Sequence, residues 1–259
     1  MELADVQFII QADFLTPASR EGIRVDDPWN ICLRDEIPGA FCESLSAMRG
    51  ILSINFLEFI PDQAQHKHDK YLAPAVTDIL KTIISWKIVR TRDDKEWITP
   101  TLAMIVPSSA LVDDKPILSE VELHGGHLQV GKYRYINPSY TRTSRSVLGN
   151  LGCGSLEVKT VLNTIERFST FSDKTYAWIA SLFAYFQSHI SKDSGGSSRF
   201  QQIKYLKLDG GAWGTANHAF LPLEHALSSD VVDLDLAILD RQFMEEISKQ
   251  SNARNFLDK

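Results

Sequence analysis

Cysteine is scarce in this chain of 259 residues, which contains only Cys32, Cys42 and Cys153. Three cysteines cannot all pair within one chain, so the composition is not typical of a small secreted domain held by disulfides. Cys32 and Cys42 fall within a predicted helix, where we expect them to be small buried apolar residues. The pattern favours a reducing, intracellular location, either cytoplasmic or nuclear.

Basic runs are also absent, and the formal net charge is −6. Nucleic-acid binding depends on clustered lysine and arginine that release counterions, so we expect no nucleic-acid partner. The N-terminal residues carry no basic region and are interrupted by Gln11 and Asp13, unlike a signal peptide or a membrane anchor. The most apolar stretch, residues 176–186, is too short to cross a bilayer, so we expect no membrane contact.

The usual motifs of freestanding enzymes are missing: there is no P-loop, no Gly-x-Ser-x-Gly and no His-Glu-x-x-His. We therefore expect no complete enzyme in this chain. Two histidine clusters resemble metal ligands, His66-x-His68-Asp69 and His124-Gly-Gly-His127. Neither is accompanied by a second ligand pair or a Cys-x-x-Cys, so no metal site is expected. A metal-dependent enzyme would require these side chains to converge in space.

The N-terminal region contains signals for a strand, a loop and a helix. Residues 6–15 are rich in β-branched and aromatic side chains and predict a strand, whose missing partners suggest a preceding domain. After a polar loop, Asp27 and Pro28 predict the N-cap and first turn of a helix. One face of that helix is expected to be buried, and its apolar residues are Trp29, Leu33, Ile37, Phe41, Leu45 and Met48. Pro38 predicts a kink or a break within the helix, whereas Asn30 is expected to bond backbone near its start.

An internal repeat is the most informative pattern in the chain. Residues 85–107 and 203–222 each contain an apolar strand, an Asp-bearing turn, a tryptophan, a polar stretch and an apolar pair before proline. Each segment predicts a hairpin, with Trp97 and Trp213 at equivalent positions on a hydrophobic face. Asp209 is followed by two glycines, which supply the positive φ angles that a tight turn requires.

The rest of the chain predicts an α+β fold. Its further elements are a helix at 69–85, a strand at 132–140, a turn and helix at 151–168 with Ser155 as N-cap, a helix that is capped by Asp173 and extends to about Ile190, a flexible loop at 192–199, and a helix at 235–250. We expect residues 1–110 to form a strand-loop-helix unit of transducer type with the first hairpin. Residues 111–259 would form a second, largely helical unit with the repeated hairpin.

The sequence FIIQADFLTPASREGI, followed by DDPWNICLRDEIPGAF, resembles the segment after the ATP-binding domain in sacsin-like and NO VEIN-like proteins of the GHKL ATPase family. In that segment a strand, an arginine-bearing loop and a Trp-Asn helix follow one another. The strong resemblance covers residues 6–45, and a weaker one, carried by the paired hairpins, covers most of the chain. The same stretch is more distantly similar to the middle domain of the ninety-kilodalton heat-shock chaperone.

The resemblance implies a role for one arginine. In the chaperone, the arginine of a Ser-Arg-Glu loop reaches the γ-phosphate of ATP bound in the preceding domain, and Arg20 matches it here, with Ser19 and Glu21 as neighbours. A guanidinium suits this task because it is permanently charged and offers a planar fork of donors. Arg24 stands where the chaperone has a glutamine as a second phosphate contact. The implied phosphate-contacting set is therefore Ser19, Arg20 and Arg24.

The resemblance also implies a function, which is to couple the ATP state of an upstream domain of the same polypeptide to contact with an unspecified client. Nothing in this chain resembles that domain's Asn/Glu-bearing helix, Asp-x-Gly turn or Gly-rich lid, so ATP and Mg²⁺ are expected only upstream. The alternative is a scaffold or protein-interaction module with no nucleotide role. Arg20 would then only pair on the surface with Glu21, Asp26 or Asp27.

Overall fold

The computed structural model describes residues 8–125, 133–168, 170–189, 199–216, 219 and 237–249. These residues form helices and short strands in small sheets, so the predicted α+β class is confirmed. The chain divides into two compact units: unit 1 comprises residues 1–105 and 131–155, and unit 2 comprises residues 106–130 and 156–259. The chain first passes from unit 1 to unit 2 between Ile105 and Val106, near the boundary predicted at residue 110. Residues 131–155 belong to unit 1 again, which is not apparent from the sequence.

The secondary-structure elements of the described residues are numbered in chain order. The helices are α1 (Pro28–Leu52), α2 (Gln63–His66), α3 (Ala73–Ile83), α4 (Glu120–Leu123), α5 (Arg142–Asn150), α6 (Val158–Ile165), α7 (Tyr176–His189) and α8 (Arg241–Ser248). The strands are β1 (Val89–Arg90), β2 (Trp97–Ile98), β3 (Ala103–Ile105), β4 (Leu111–Val112), β5 (Lys115–Pro116), β6 (Arg134–Tyr135), β7 (Gly154–Ser155), β8 (Leu206–Lys207) and β9 (Trp213–Gly214). Helices of the 3₁₀ type span Ser53–Phe59, Pro100–Leu102 and Ser108–Ala110. No helix in the described ranges combines the length and the apolar character that a membrane span requires.

Helix α1 begins where the sequence predicts, because Asp27 accepts a hydrogen bond from the backbone N–H of Trp29 at 3.0 Å and Pro28 occupies the first turn. The helix runs unbroken through Pro38. Pro38 removes one backbone hydrogen bond from the helix. The neighbouring Ile37 and Phe41 are buried, so packing against the core holds together the parts of α1 before and after the proline.

Burial along α1 differs from the sequence prediction at two positions. Cys42 is buried, as expected, and burial raises the pKa of its thiol. Cys32 is exposed, and Trp29 is 52% exposed, so the expectation that both lie in the core is wrong. Both residues precede the stretch where α1 meets the core, which begins at Ile37.

The predicted strand at residues 6–15 is a further correction, since its described part, residues 8–15, forms no strand. Phe8 and Phe14 instead pack against the core of unit 1, and the Phe8 ring lies 4.8 Å from that of Phe41. The backbone of Leu15 is hydrogen-bonded by a side chain, that of Asn30, rather than by a neighbouring strand. The apolar side chains of this run therefore pack against the core, and residues 8–15 present no unpaired strand edge.

The two hairpins predicted by the repeat are confirmed. Strands β1 and β2 pair antiparallel with Arg90 opposite Trp97, and β8 and β9 pair antiparallel with Lys207 opposite Trp213. In each hairpin the cation lies over the tryptophan ring, at 5.3 Å in unit 1 and 5.0 Å in unit 2. The second turn places its two glycines at φ values of 84° and 92°, as the sequence requires.

The repeat extends further than the sequence shows. In unit 1 an antiparallel bridge joins Thr91 to Ile136, and in unit 2 an equivalent bridge joins Leu208 to Leu239. Each bridging segment then leads into a helix with a side-chain N-cap, provided by Thr141 for α5 and Asp240 for α8. Both units therefore share one order: a hairpin, a third extended segment and a capped helix.

The return of residues 131–155 to unit 1 is explained by a parallel sheet in the order β6-β3-β7. Ser155 lies in β7 opposite Ile105, so its predicted N-cap role is wrong. The cap predicted for Asp173 is also wrong, because Thr175 Oγ1 accepts from the N–H of Trp178 at 3.1 Å. Several predicted elements extend outside the described residues, namely at residues 6–7, 132, 190–198, 217–218, 220–222, 235–236 and 250.

The core of unit 2 is dominated by aromatic side chains. Phe200 stacks on Tyr205 with ring centroids 4.4 Å apart, and it lies 4.3 Å from Phe186 and 6.1 Å from Phe183. All four side chains are almost fully buried. Because Phe183 and Phe186 belong to α7 and Tyr205 immediately precedes β8, this aromatic cluster holds the second hairpin against the helix.

One half-buried ion pair in unit 2, between Glu122 and Lys174, gives a prediction for pH dependence. Burial alone would raise the pKa of Glu122, but hydrogen bonds from Lys174 and Ser119 outweigh it and hold that pKa below its ordinary value of 4.5. A carboxyl whose pKa is lower in the folded state stabilises the fold above pH 4.5 and loses that contribution as the pH falls through the folded-state pKa. We therefore expect Glu122→Gln to lose less stability than the wild type on acidification below pH 4.5, measured by urea denaturation at several pH values. An identical acid response in both proteins would contradict this assignment.

Candidate functional site

The Ser-Arg-Glu segment lies in a loop that is closed at its base. The N–H of Arg24 donates to the carbonyl of Leu15 at 3.1 Å, which joins the two ends. Nearer the tip, the N–H of Arg20 donates to the carbonyl of Pro17 at 2.9 Å, and Arg20 has a φ of 58°. A left-handed conformation is uncommon for a residue with a side chain and persists only where the surroundings enforce it, often at functional sites. This geometry makes the loop, residues 15–24, the strongest candidate site in the described chain.

Asn30 fixes the base of the Arg20 loop. Its Nδ2 donates to the carbonyl of Leu15 at 2.8 Å and to the carbonyl of Arg24 at 2.9 Å, while its Oδ1 accepts from the N–H of Leu15 at 2.8 Å. The Asn30 residue is fully buried. Three hydrogen bonds from one buried amide therefore hold both ends of the loop against the first turn of α1, which confirms the prediction that Asn30 bonds backbone.

Two neighbouring aromatic residues support the same base. The Trp29 indole Nε1 donates to the carbonyl of Asp13 at 2.9 Å, which explains how a half-exposed tryptophan is held in place. On the inner side, the hydroxyl of Tyr71 donates to the carbonyl of Asn30 at 2.5 Å, and its ring meets that of Phe14 edge-on at 6.1 Å. Tyr71 is 41 positions from Asn30, and no sequence signal identifies it as part of the site.

The three implied phosphate contacts all lie on this loop and are exposed: Ser19 in the turn, Arg20 beside it and Arg24 at the base. Within the described part of the chain, no hydrogen bond or ion pair engages the Arg20 guanidinium. The surface pairing of Arg20 with Glu21, Asp26 or Asp27 is therefore not observed there. An exposed, uncompensated guanidinium on a constrained loop can bind an anionic group presented by another surface.

The described histidines of the two clusters, His66, His68 and His124, do not form a comparable site. His66 is 2% exposed, and its Nε2 has no hydrogen-bond partner in the structure. His68 belongs with it to unit 1, whereas His124 belongs to unit 2 and His127 lies outside the described residues. Among the residues that are described, no three histidine, cysteine or acidic side chains group so as to hold a metal ion.

A cleft of about 310 Å³ with a mixed polar and apolar lining lies in unit 1 between α5 and the segment that leads into α2. Its carboxylates already have partners, since Glu58 accepts from Thr141 at 2.7 Å and Asp62 accepts from Asn150 at 3.4 Å. Asp62 also caps α2 by accepting from the N–H of Ala64. These carboxylates act as caps and cross-links, so the cleft carries no catalytic arrangement comparable to the Arg20 loop.

Comparison with known proteins gives one partial similarity. No family model matches the chain, and no solved structure matches it. Among curated proteins, "Protein NO VEIN" of Arabidopsis thaliana is 28% identical over 105 residues. The aligned part covers 37% of this chain but only 4% of that protein, so the chain corresponds to a small fraction of that relative's length. The similarity is consistent with a NO VEIN-like link, whereas a similarity to GHKL ATPases or to the heat-shock chaperone is not shown.

Proposed function

We propose that the chain is a non-catalytic coupling segment of a NO VEIN-like, sacsin-related ATPase. In this proposal Arg20 contacts the γ-phosphate of ATP held by an upstream GHKL-type domain of the same polypeptide. The helices of unit 1 then relay the ATP state to contact with a client protein. ATP and Mg²⁺ belong to the upstream domain, and this chain contributes a sensing arginine and no complete active site.

The construction of the Arg20 loop is the observation that supports the proposal most. Arg20 is exposed and adopts a φ of 58°, and its guanidinium has no partner among the described residues, while the loop base is tied to α1 by Asn30. Holding a loop in its binding conformation before contact reduces the ordering cost at the moment of binding. A charged group presented in this way can stabilise the negative charge on a phosphoryl group during transfer.

A scaffold without a nucleotide role is the second candidate, and the surroundings of the loop favour it specifically. Leu15, Val25 and Trp29 are 44%, 38% and 52% exposed, respectively, and all lie at or beside the loop base. Exposed apolar side chains close together suit contact with another protein whether or not a nucleotide is present. Under this alternative Arg20 would contribute to a protein contact only.

Isothermal titration calorimetry distinguishes the two functions. The isolated chain should give no heat with Mg·ATP, because the nucleotide pocket lies elsewhere. It should bind the separately purified upstream domain more tightly when that domain holds a non-hydrolysable ATP analogue than when it holds ADP. Nucleotide binding by the chain alone would contradict the proposal, whereas equal affinity in both nucleotide states would favour the scaffold.

A further inference from the structure

Asn30 directs both N–H donors and its carbonyl oxygen to the two ends of one loop. A carboxamide has two N–H donors and one carbonyl acceptor, and here both donors and the acceptor reach backbone atoms of Leu15 and Arg24. An aspartate of the same shape would keep the acceptor but present an oxygen to two carbonyl groups. A serine or alanine would leave the N–H of Leu15 without the Asn30 acceptor, and the carbonyls of Leu15 and Arg24 would keep only their backbone donors, Arg24 and Asp27. The position therefore demands an amide of this length.

The Asn30 amide determines where Arg20 is presented. Residues 16–23 have no strand or helix of their own, and they connect two points that are both bonded to the first turn of α1. While the amide holds these points together, the loop tip keeps a fixed offset from α1. If the Asn30 bonds open, the loop ends are joined only by the backbone bond from Arg24 to Leu15 and are no longer held to α1, so Arg20 samples more positions.

Tyr71 connects this clamp to a second helix. Its hydroxyl donates to the carbonyl of Asn30, and its ring meets Phe14, which lies just before the loop. The backbone N–H of Tyr71 donates to Asp69 Oδ1 at 2.9 Å, immediately ahead of α3. The start of α3 therefore contacts both the clamp and the chain that enters the loop.

We propose that Asn30 is a positioning residue for Arg20 and that Tyr71 couples this clamp to the start of α3. For its effect on ATP hydrolysis, the inference rests on the proposed function. The closing of the loop by Asn30 does not depend on that function. The two parts are therefore tested by separate measurements.

Limited trypsin digestion of the intact chain tests the clamp. Asn30→Asp should accelerate cleavage after Arg20 at least tenfold, since losing two hydrogen bonds and gaining carboxylate–carbonyl repulsion raises the frequency of loop opening. Cleavage after Lys67, an exposed site that does not contact the loop, should stay within twofold of the wild type. An unchanged rate after Arg20, or an equal increase at Lys67, would overturn the inference.

Tyrosine variants test the connection to α3. Tyr71→Phe keeps the ring and removes only the hydroxyl bond to Asn30, so cleavage after Arg20 should rise about threefold. Tyr140→Phe is the matched control, because its buried hydroxyl accepts from the N–H of Arg90 at 2.8 Å and does not contact the loop. Equal cleavage rates after Arg20 in the two tyrosine variants would contradict the coupling through Tyr71.

Steady-state hydrolysis in the polypeptide that includes the upstream domain completes the test. Asn30→Asp should lower kcat while leaving the KM for ATP within twofold, because a misplaced arginine affects the transferring phosphate and not nucleotide binding. An unchanged kcat in this variant, where Arg20→Ala lowers it, would overturn the positioning role. If Arg20→Ala itself has no effect, the proposed function fails, and the trypsin result decides alone whether Asn30 clamps the loop.

Discussion

Arg20→Ala is expected to reduce kcat for ATP hydrolysis by about a thousandfold in the polypeptide that joins this chain to its upstream ATP-binding domain. The guanidinium would compensate charge that develops on the γ-phosphoryl group during transfer, so its loss raises the barrier for the chemical step. The KM for ATP should change little, because the adenosine and the inner phosphates are held by the other domain. Phosphate release at saturating ATP measures the effect directly.

Two variants test whether the effect on kcat requires the guanidinium of Arg20 or only a positive charge. Arg20→Lys retains a cation but loses the planar fork of donors, so we expect it to recover only part of the lost rate. Lys87→Ala removes an exposed cation of unit 1 outside the loop and should leave kcat unchanged. A wild-type rate in Arg20→Ala would contradict a phosphate contact and leave the scaffold as the better reading of the exposed loop.

The sequence predicted the elements whose signals are local. The start of α1 follows from Asp27 and Pro28, and the hairpins follow from turn residues flanked by apolar strands. In each of these, the residues that determine the structure lie within about ten positions of one another along the chain. Such signals are visible in a single sequence.

Predictions that depended on distant partners were less successful. The run at residues 8–15 has strand-like composition, yet Asn30 engages the backbone of Leu15 and the core takes up Phe8 and Phe14. Ser155 has the composition of a cap but lies in a strand, because it pairs with Ile105, which is remote in sequence. In both cases tertiary contacts overrode the local secondary-structure preference of the sequence.

The candidate site likewise contains some residues that the sequence identified and others that it did not. Arg20 and its neighbours Ser19 and Arg24 were identified through the Ser-Arg-Glu resemblance, and the structure places all three on one exposed loop. The residues that hold this loop were identified only in part, since the backbone bonding of Asn30 was expected but its two loop-end partners were not. Tyr71 was missed because a hydrogen bond to a backbone carbonyl leaves no pattern in a sequence.

Phe200→Ala is expected to lower the free energy of unfolding by about 3–5 kcal/mol, since truncating a buried phenylalanine removes apolar contact and leaves a cavity. Phe200 is fully buried and contacts rings from α7 and from the approach to β8, so its neighbours cannot easily close the gap. Urea denaturation followed by far-UV circular dichroism should show a lower midpoint, and near-UV dichroism should report loosened aromatic packing before unfolding.

Ile51→Ala is the control for this effect, because its side chain is 81% exposed near the end of α1 and should change stability by less than about 0.5 kcal/mol. Phe200→Leu keeps most of the buried volume and should fall between the two. If Phe200→Ala were as stable as Ile51→Ala, the ring cluster would not hold the second hairpin against α7. The two hairpins would then owe their similar form to their turns and cross-strand cation–tryptophan pairs alone, and β8–β9 should fold equally well without Phe200.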